Sequence, residues 1–173
     1  MEAAARKSLG ADLHAAAHLT GRFVLRSGQV SSEYFDKYRF EADPKLLARV
    51  AAAMLPLVPA DAEVLAGVEL GGVPIATAMS LASGRPAAFV RKAAKTYGTG
   101  LAVEGGDLRG RKVALVEDVI STGGAIIDAK RHLDEAGAEL VAVVCALWRG
   151  EGEPRITGLD APVFAALTRA DLP

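Results

Sequence analysis

Apolar and small residues recur at three- and four-residue spacing over residues 2–19, which predicts a helix ending before Thr20-Gly21. Few of those side chains are large, so the helix is expected on the outside of the molecule. From Arg22 to Phe40 two extended, aromatic-bearing runs flank Ser27-Gly28-Gln29, the pattern of a β-hairpin. Asp43-Pro44 then announces a second helix. Aspartate can accept from the free amides of a first turn, and proline at the first helical position sacrifices no hydrogen bond.

Beyond that point short apolar runs alternate with helical patterns. Val64–Val68, Ala87–Arg91, Val113–Glu117 and Leu140–Leu147 read as strands, and Pro74–Ser83 and Ala125–Ala136 as helices. Such alternation predicts an α/β fold with a central, mostly parallel sheet flanked by helices on both faces, preceded by the N-terminal helix and hairpin. In the last helix Ile126, Ala129, Leu133 and Ala136 form one apolar stripe, and Gly137 ends it. The 17 residues from Ala93 to Arg109 contain four glycines and little periodicity. A connection of that length in a compact domain is either disordered or functional.

Composition narrows the function classes. At 173 residues and 51% hydrophobic, the chain is expected to be one domain, with residues 1–40 as a hood and 41–173 as the α/β core. Twenty basic against 21 acidic residues leave a net charge of −1, which gives no bulk attraction to nucleic acid or membrane. One cysteine makes no internal disulfide, no leader pattern opens the chain, and no run reaches the roughly 18 apolar residues of a span. A cytoplasmic location is expected.

The stretch VALVEDVISTGGAI, Val113 to Ile126, carries the most chemistry: a buried strand, two carboxylates at its end, a hydroxyl- and glycine-rich turn, then a helix. In open α/β sheets ligands sit beyond the carboxyl ends of strands, and a turn opening a helix presents free amides and the positive end of the helix dipole. Gly123 and Gly124 let backbone approach an anion closely, Ser121 and Thr122 add hydroxyl donors, and Ala125 begins the helix. Glu117 and Asp118 would repel a phosphate but accept from neutral hydroxyls. A sugar with vicinal hydroxyls near its own phosphate satisfies both halves, so the pattern points to a ribose 5-phosphate group. The plain alternative is a tight turn beside a solvated strand end. No Walker motif and no GxGxxG occurs.

This segment resembles the phosphoribosyl-pyrophosphate signature of the type I phosphoribosyltransferases. FVRKAAKTYG, Phe89 to Gly98, resembles the mobile catalytic loop of the orotate phosphoribosyltransferase family, and FVLRSGQVSSEYFD, Phe23 to Asp36, resembles its substrate-binding hairpin. With GVELGGVPIATA at 67–78, the likeness covers nearly the whole chain. It implies the type I phosphoribosyltransferase fold and transfer of ribose 5-phosphate from 5-phosphoribosyl 1-diphosphate (PRPP) to orotate, with magnesium entering on the donor rather than in a protein cage. Among site residues it implies pyrophosphate contacts from Arg91, Lys92, Lys95 and Tyr97, with Lys95, Arg91 and Asp118 in catalytic roles. Arg149 would hold the orotate carboxylate, Arg26 would lie near pyrophosphate and base, and Tyr34 and Phe35 would line the base or pack in the hairpin. A homodimer with loop 93–109 shared across the interface is also implied.

Three departures stand out. Tyr97 replaces a frequent histidine, Trp148 stands where an acidic residue is common, and no lysine lies near Gly71, so less positive charge is expected from that side. The family often has a cis peptide near Glu69-Leu70. A purine-specific phosphoribosyltransferase and a PRPP-sensing regulator are the rival readings. The hairpin with Arg149 disfavours the first, and the intact RKxxK loop the second. His14 and His18 have ligand spacing but lack a third ligand, and Cys145 reads as a small core residue.

Overall fold

A computed structural model of the chain describes residues 1–24, 28–98 and 100–173. Six strands form the central sheet. They are β3 (Val64–Val68), β4 (Ala87–Val90), β5 (Val103–Glu104), β6 (Lys112–Ile120), β7 (Glu139–Trp148) and β8 (Val163–Thr168), in the spatial order β5-β4-β3-β6-β7-β8. All neighbours are parallel except β5, which runs antiparallel to β4. The expected mostly parallel sheet is therefore present.

Pleating divides the core into two. Leu65, Ala114, Val116, Val144 and Ala146 face the layer of α1 (Ala3–Ala17), α3 (Pro44–Met54) and α4 (Gly72–Ser83). Val64, Ala66, Val113, Leu115, Val143 and Cys145 face α5 (Gly124–Glu135) on the other side. Strands buried on both faces explain why these runs are continuously apolar rather than alternating.

Local signals act where the sequence placed them. The Asp43 carboxylate accepts from the amides of Lys45 and Leu46 at 2.9 and 3.1 Å, with Pro44 opening α3. Gly137 takes φ +73° after α5, and the Ala138 amide reaches back to the Leu133 carbonyl at 3.0 Å, closing the helix in a Schellman-type turn.

Other boundaries differ from expectation. The first helix stops at Ala17, and the chain runs directly into β1 (His18–Val24), which pairs antiparallel with β2 (Val30–Phe35) in a separate two-stranded sheet. The extended run stops short of Phe40, because Tyr38–Glu41 forms a one-turn helix, α2, that drops Phe40 fully into the core. Burial of one large ring outweighs the weak β preference of the aromatic residues. Nothing in the sequence pattern placed β8, an edge strand that pairs, among the described residues, with β7 alone. The glycine-bearing loop contains β5, which folds back onto β4.

The C-terminus closes over the N-terminal helix. A Cβ on Gly10 would overlap the Asp171 carbonyl, and Arg6 pairs with Asp171 at 2.7 Å. His14 and His18 stack ring on ring, 4.5 Å between centroids, and His18 faces Glu33.

Candidate active site

The strand order places β3 and β6 side by side while their helices leave toward opposite faces. That is the switch point of an open sheet, where a crevice forms beyond the strand ends. Two turns border it: Glu69–Gly71 after β3 and Ser121–Gly123 after β6. The Glu69–Leu70 peptide is cis.

The second turn is shaped for an anion. Gly123 has φ +82°, and a Cβ there would lie 2.7 Å from Ile156, so backbone conformation and space both require glycine. The first helical bonds of α5 run from Ile126 and Ile127 to the Gly123 carbonyl, so the amides of Gly124 and Ala125 precede the hydrogen-bond ladder. Ser121 and Thr122 are exposed beside them. A cavity of about 280 Å³ is lined by this turn together with Lys37, Tyr38, Glu69, Leu70, Lys92 and Glu117.

The acidic pair is split by the pleat of β6, which runs past both residues to Ile120 rather than ending at them. Glu117 lines the cavity. Asp118 turns to the opposite face and is fully buried, with Lys37 Nζ 3.0 Å from Oδ1 and 2.7 Å from Oδ2 and the Val119 amide donating to Oδ1. Glu41, buried on α2, completes the cluster.

Four ionisable groups with one cation cannot all be charged at neutral pH. Burial, followed by interaction with Asp118, pushes both Glu117 and Glu41 up to about 9. Burial also acts to raise Asp118, but hydrogen bonds with Glu117, Glu41 and Lys37 outweigh it and hold that carboxyl below its usual range. For Lys37, burial is more than offset by its bond to Asp118, so the ammonium titrates above its ordinary value. At neutral pH the cluster is one ion pair, Lys37 with Asp118, flanked by two protonated glutamic acids.

The sequence passed over Lys37 and Glu41. Their i, i+4 spacing was visible, but an extended reading through Phe40 put them on no helix, and such pairs usually lie on solvated faces.

The other expected residues fall into groups. Arg91 and Lys92 reach the turn, lining an adjoining cavity with Glu69, Thr122, Gly124 and Ala125, and the buried Arg91 Nε has no hydrogen-bond partner there. Lys95 is drawn instead to Glu104 of β5 at 2.5 Å, and Tyr97 is 72% exposed. Pairing of β6 with β7 continues to the Arg149 amide, which donates to Ile120 at 2.7 Å and sets Arg149 just beyond the turn. Its guanidinium lies 5.5 Å from the Phe35 ring centroid, while Tyr34 stacks on Phe23 at 5.4 Å. Trp148 is core: its indole N–H donates to the Gly152 carbonyl at 3.2 Å. Arg26 lies outside the described residues.

The phosphoribosyl transferase domain model matches residues 39–168. An orotate phosphoribosyltransferase from a Nocardioides species is 55% identical over 95% of this chain and 93% of its own length. The chain belongs to the orotate phosphoribosyltransferase family. Among solved members of that family, the Mycobacterium tuberculosis orotate phosphoribosyltransferase in complex with Fe(III) dicitrate aligns with a TM-score of 0.84 at 31% identity, covering 96% of this chain and 98% of that one. The same enzyme in complex with PRPP aligns at 0.80 and 28% identity, over 96% and 98%. The α/β fold with N-terminal helix and hairpin is thus that of the orotate phosphoribosyltransferases.

Proposed function

We propose that this chain transfers ribose 5-phosphate from PRPP to a ring nitrogen of orotate, giving orotidine 5′-monophosphate and diphosphate in pyrimidine synthesis. The observation that carries the reading is the glycine turn opening α5 at the sheet's switch point, with Glu117 on its sugar side and Arg91 and Lys92 alongside. An orotate nitrogen forms the new bond to the anomeric carbon as the carbon–oxygen bond to diphosphate breaks, the electron pair leaves with diphosphate, and the nitrogen's proton passes to solvent. No protein nucleophile is needed. Catalysis is then positional and electrostatic.

The residues divide the work. Ser121 to Ala125 hold the 5-phosphate, and Glu117 faces the ribose hydroxyls. Arg91, Lys92 and Lys95 meet the diphosphate, Lys95 by leaving Glu104, with Tyr97 as a neutral hydrogen-bond donor. Arg149 grips the orotate carboxylate beside Phe35 and Tyr34, and Arg26 serves the diphosphate and base. Asp118 acts from behind the site. Two or more fixed cations near the leaving group lower the cost of its developing charge, and loop closure over 93–109 excludes water that would hydrolyse the donor.

The site also suits magnesium brought in on the donor. Glu69 and Glu117 line the cavity, and the latter is a buried carboxyl whose proton a dication would displace. When bound, the ion would neutralise diphosphate oxygens as they take up charge. By this reading the protein is a cytoplasmic homodimer whose 93–109 loop serves the partner's site. Among the described residues no helix is long and apolar enough to cross a membrane.

The deciding measurement is diphosphate release with PRPP and orotate, uracil, hypoxanthine or adenine in parallel. Release with orotate alone is expected; release only with a purine would replace the reading.

A further inference from the structure

The cavity holds a cation whose role nothing above assigns. Lys37 stands immediately before α2, its side chain 33% exposed, and it lines the cavity opposite the turn. An ammonium has three donors and no acceptor. Asp118 Oδ1 takes up one of them, and Oδ2 lies at ion-pair distance without accepting a hydrogen bond, so donor capacity remains toward the cavity.

The anchor itself cannot shift easily. Asp118 is fully enclosed, its Oδ1 also receives the Val119 amide, and a Cβ on Gly71 would overlap its Oδ2. The pair is therefore asymmetric: the anion lies on the far face of the sheet, and only the cation reaches the cavity.

A PRPP molecule is anionic at both ends. With its monoester on the Ser121–Ala125 turn, its diphosphate needs cations elsewhere in the same cavity, and among the described residues those lining it are Lys37 and Lys92. Arg91 lines the neighbouring cavity and Lys95 is paired with Glu104. We propose that Lys37 is a donor-binding residue, its ammonium aimed by Asp118 at the diphosphate oxygens of PRPP from the Gly71 side. This rests on the reading of the cavity as the donor site. It also reverses the expectation of weak positive charge on that side: the cation comes from α2 rather than from the β3–α4 turn.

The test is Lys37→Met, which keeps length and removes charge. The KM for PRPP and the inhibition constant of inorganic diphosphate should each rise at least about tenfold, the scale of one lost charge-assisted hydrogen bond, while the orotate KM stays within about twofold. A folded variant with diphosphate inhibition and PRPP KM unchanged overturns the assignment. Because Lys37→Met strands a buried carboxylate, Lys37→Met with Asp118→Asn is compared with Asp118→Asn alone. Tenfold weaker diphosphate inhibition in the double variant supports the role, and equal inhibition removes it. Wild-type protein without orotate turnover would sink the reading of the site; wild-type turnover with an indifferent Lys37 variant would sink this inference only.

Discussion

Asp118 Oδ2 occupies the space into which a Cβ at position 71 would project, so the turn after β3 and the acid on β6 interlock. Glycine at 71 is a spatial requirement here, not a conformational one, since its φ of −67° suits any residue. Gly71→Ala should displace Asp118, and with it Lys37. Overpacking of this kind costs about 1–3 kcal/mol, a loss of several degrees in Tm for a chain of this size. Turnover should fall at least about tenfold. Thermal melts with steady-state assays check both, and a variant with wild-type Tm and turnover would show that the interlock is slack.

Much of this arrangement was legible beforehand, and the reasons for the rest are specific. The strand, turn and helix around Val113–Ile126 were readable because buried parallel strands are continuously apolar and glycine marks the turn. The facing of Glu117 and Asp118 was not, because two acids side by side in sequence look like a pair until the strand is known to continue to Ile120. Period-two geometry then sends them to opposite faces. Lys37 and Glu41 were hidden because α2 is a single turn whose formation depends on burying Phe40 against distant elements. Lys95 shows the same dependence: its Glu104 partner belongs to a two-residue strand that exists only by pairing with β4.

The buried acids give stability a defined pH dependence. Glu41 and Glu117 titrate near 9 in the folded chain and near 4.5 when unfolded, so the folded state binds more protons between those values. Stability from this source is complete below about 4.5 and is lost as pH rises toward about 9. Glu41→Gln should remove one of the two groups and reduce the fall in Tm between pH 6 and pH 8 by about half. Asp118 acts in a different window, because its depressed folded value withdraws stability only as pH falls below about 4. A Glu41→Gln melting profile parallel to wild type from pH 6 to 8 would place the Glu41 proton elsewhere.

Lys95 offers a clean separation of stability from catalysis. Its bond to Glu104 is partly exposed on a short ribbon, and such pairs contribute about 0–1 kcal/mol. Lys95→Ala should leave Tm within about 2 °C yet cut turnover by about 10²-fold, the scale of removing one transition-state donor. Glu104→Gln should preserve turnover, since it frees the lysine without removing it. Undiminished turnover in a folded Lys95→Ala variant would take the residue out of the chemistry.

Arg149 should set the choice of base. Its backbone is fixed by the hydrogen bond that its amide donates to the Ile120 carbonyl, and its side chain is exposed over Phe35, so among the described residues the guanidinium is placed without being consumed by an internal partner. A planar fork matches a carboxylate in two places, which a lysine cannot reproduce. Arg149→Ala should raise the orotate KM about 10- to 100-fold, corresponding to roughly 1.5–3 kcal/mol, and Arg149→Lys should recover only part of it. The PRPP KM should remain within about twofold. Uracil supplies the control, because it has the same ring without the carboxylate: whatever slow turnover it supports should be insensitive to Arg149→Ala. If uracil and orotate lose equally, Arg149 serves the ring or the loop, and recognition of the carboxylate falls to the hairpin.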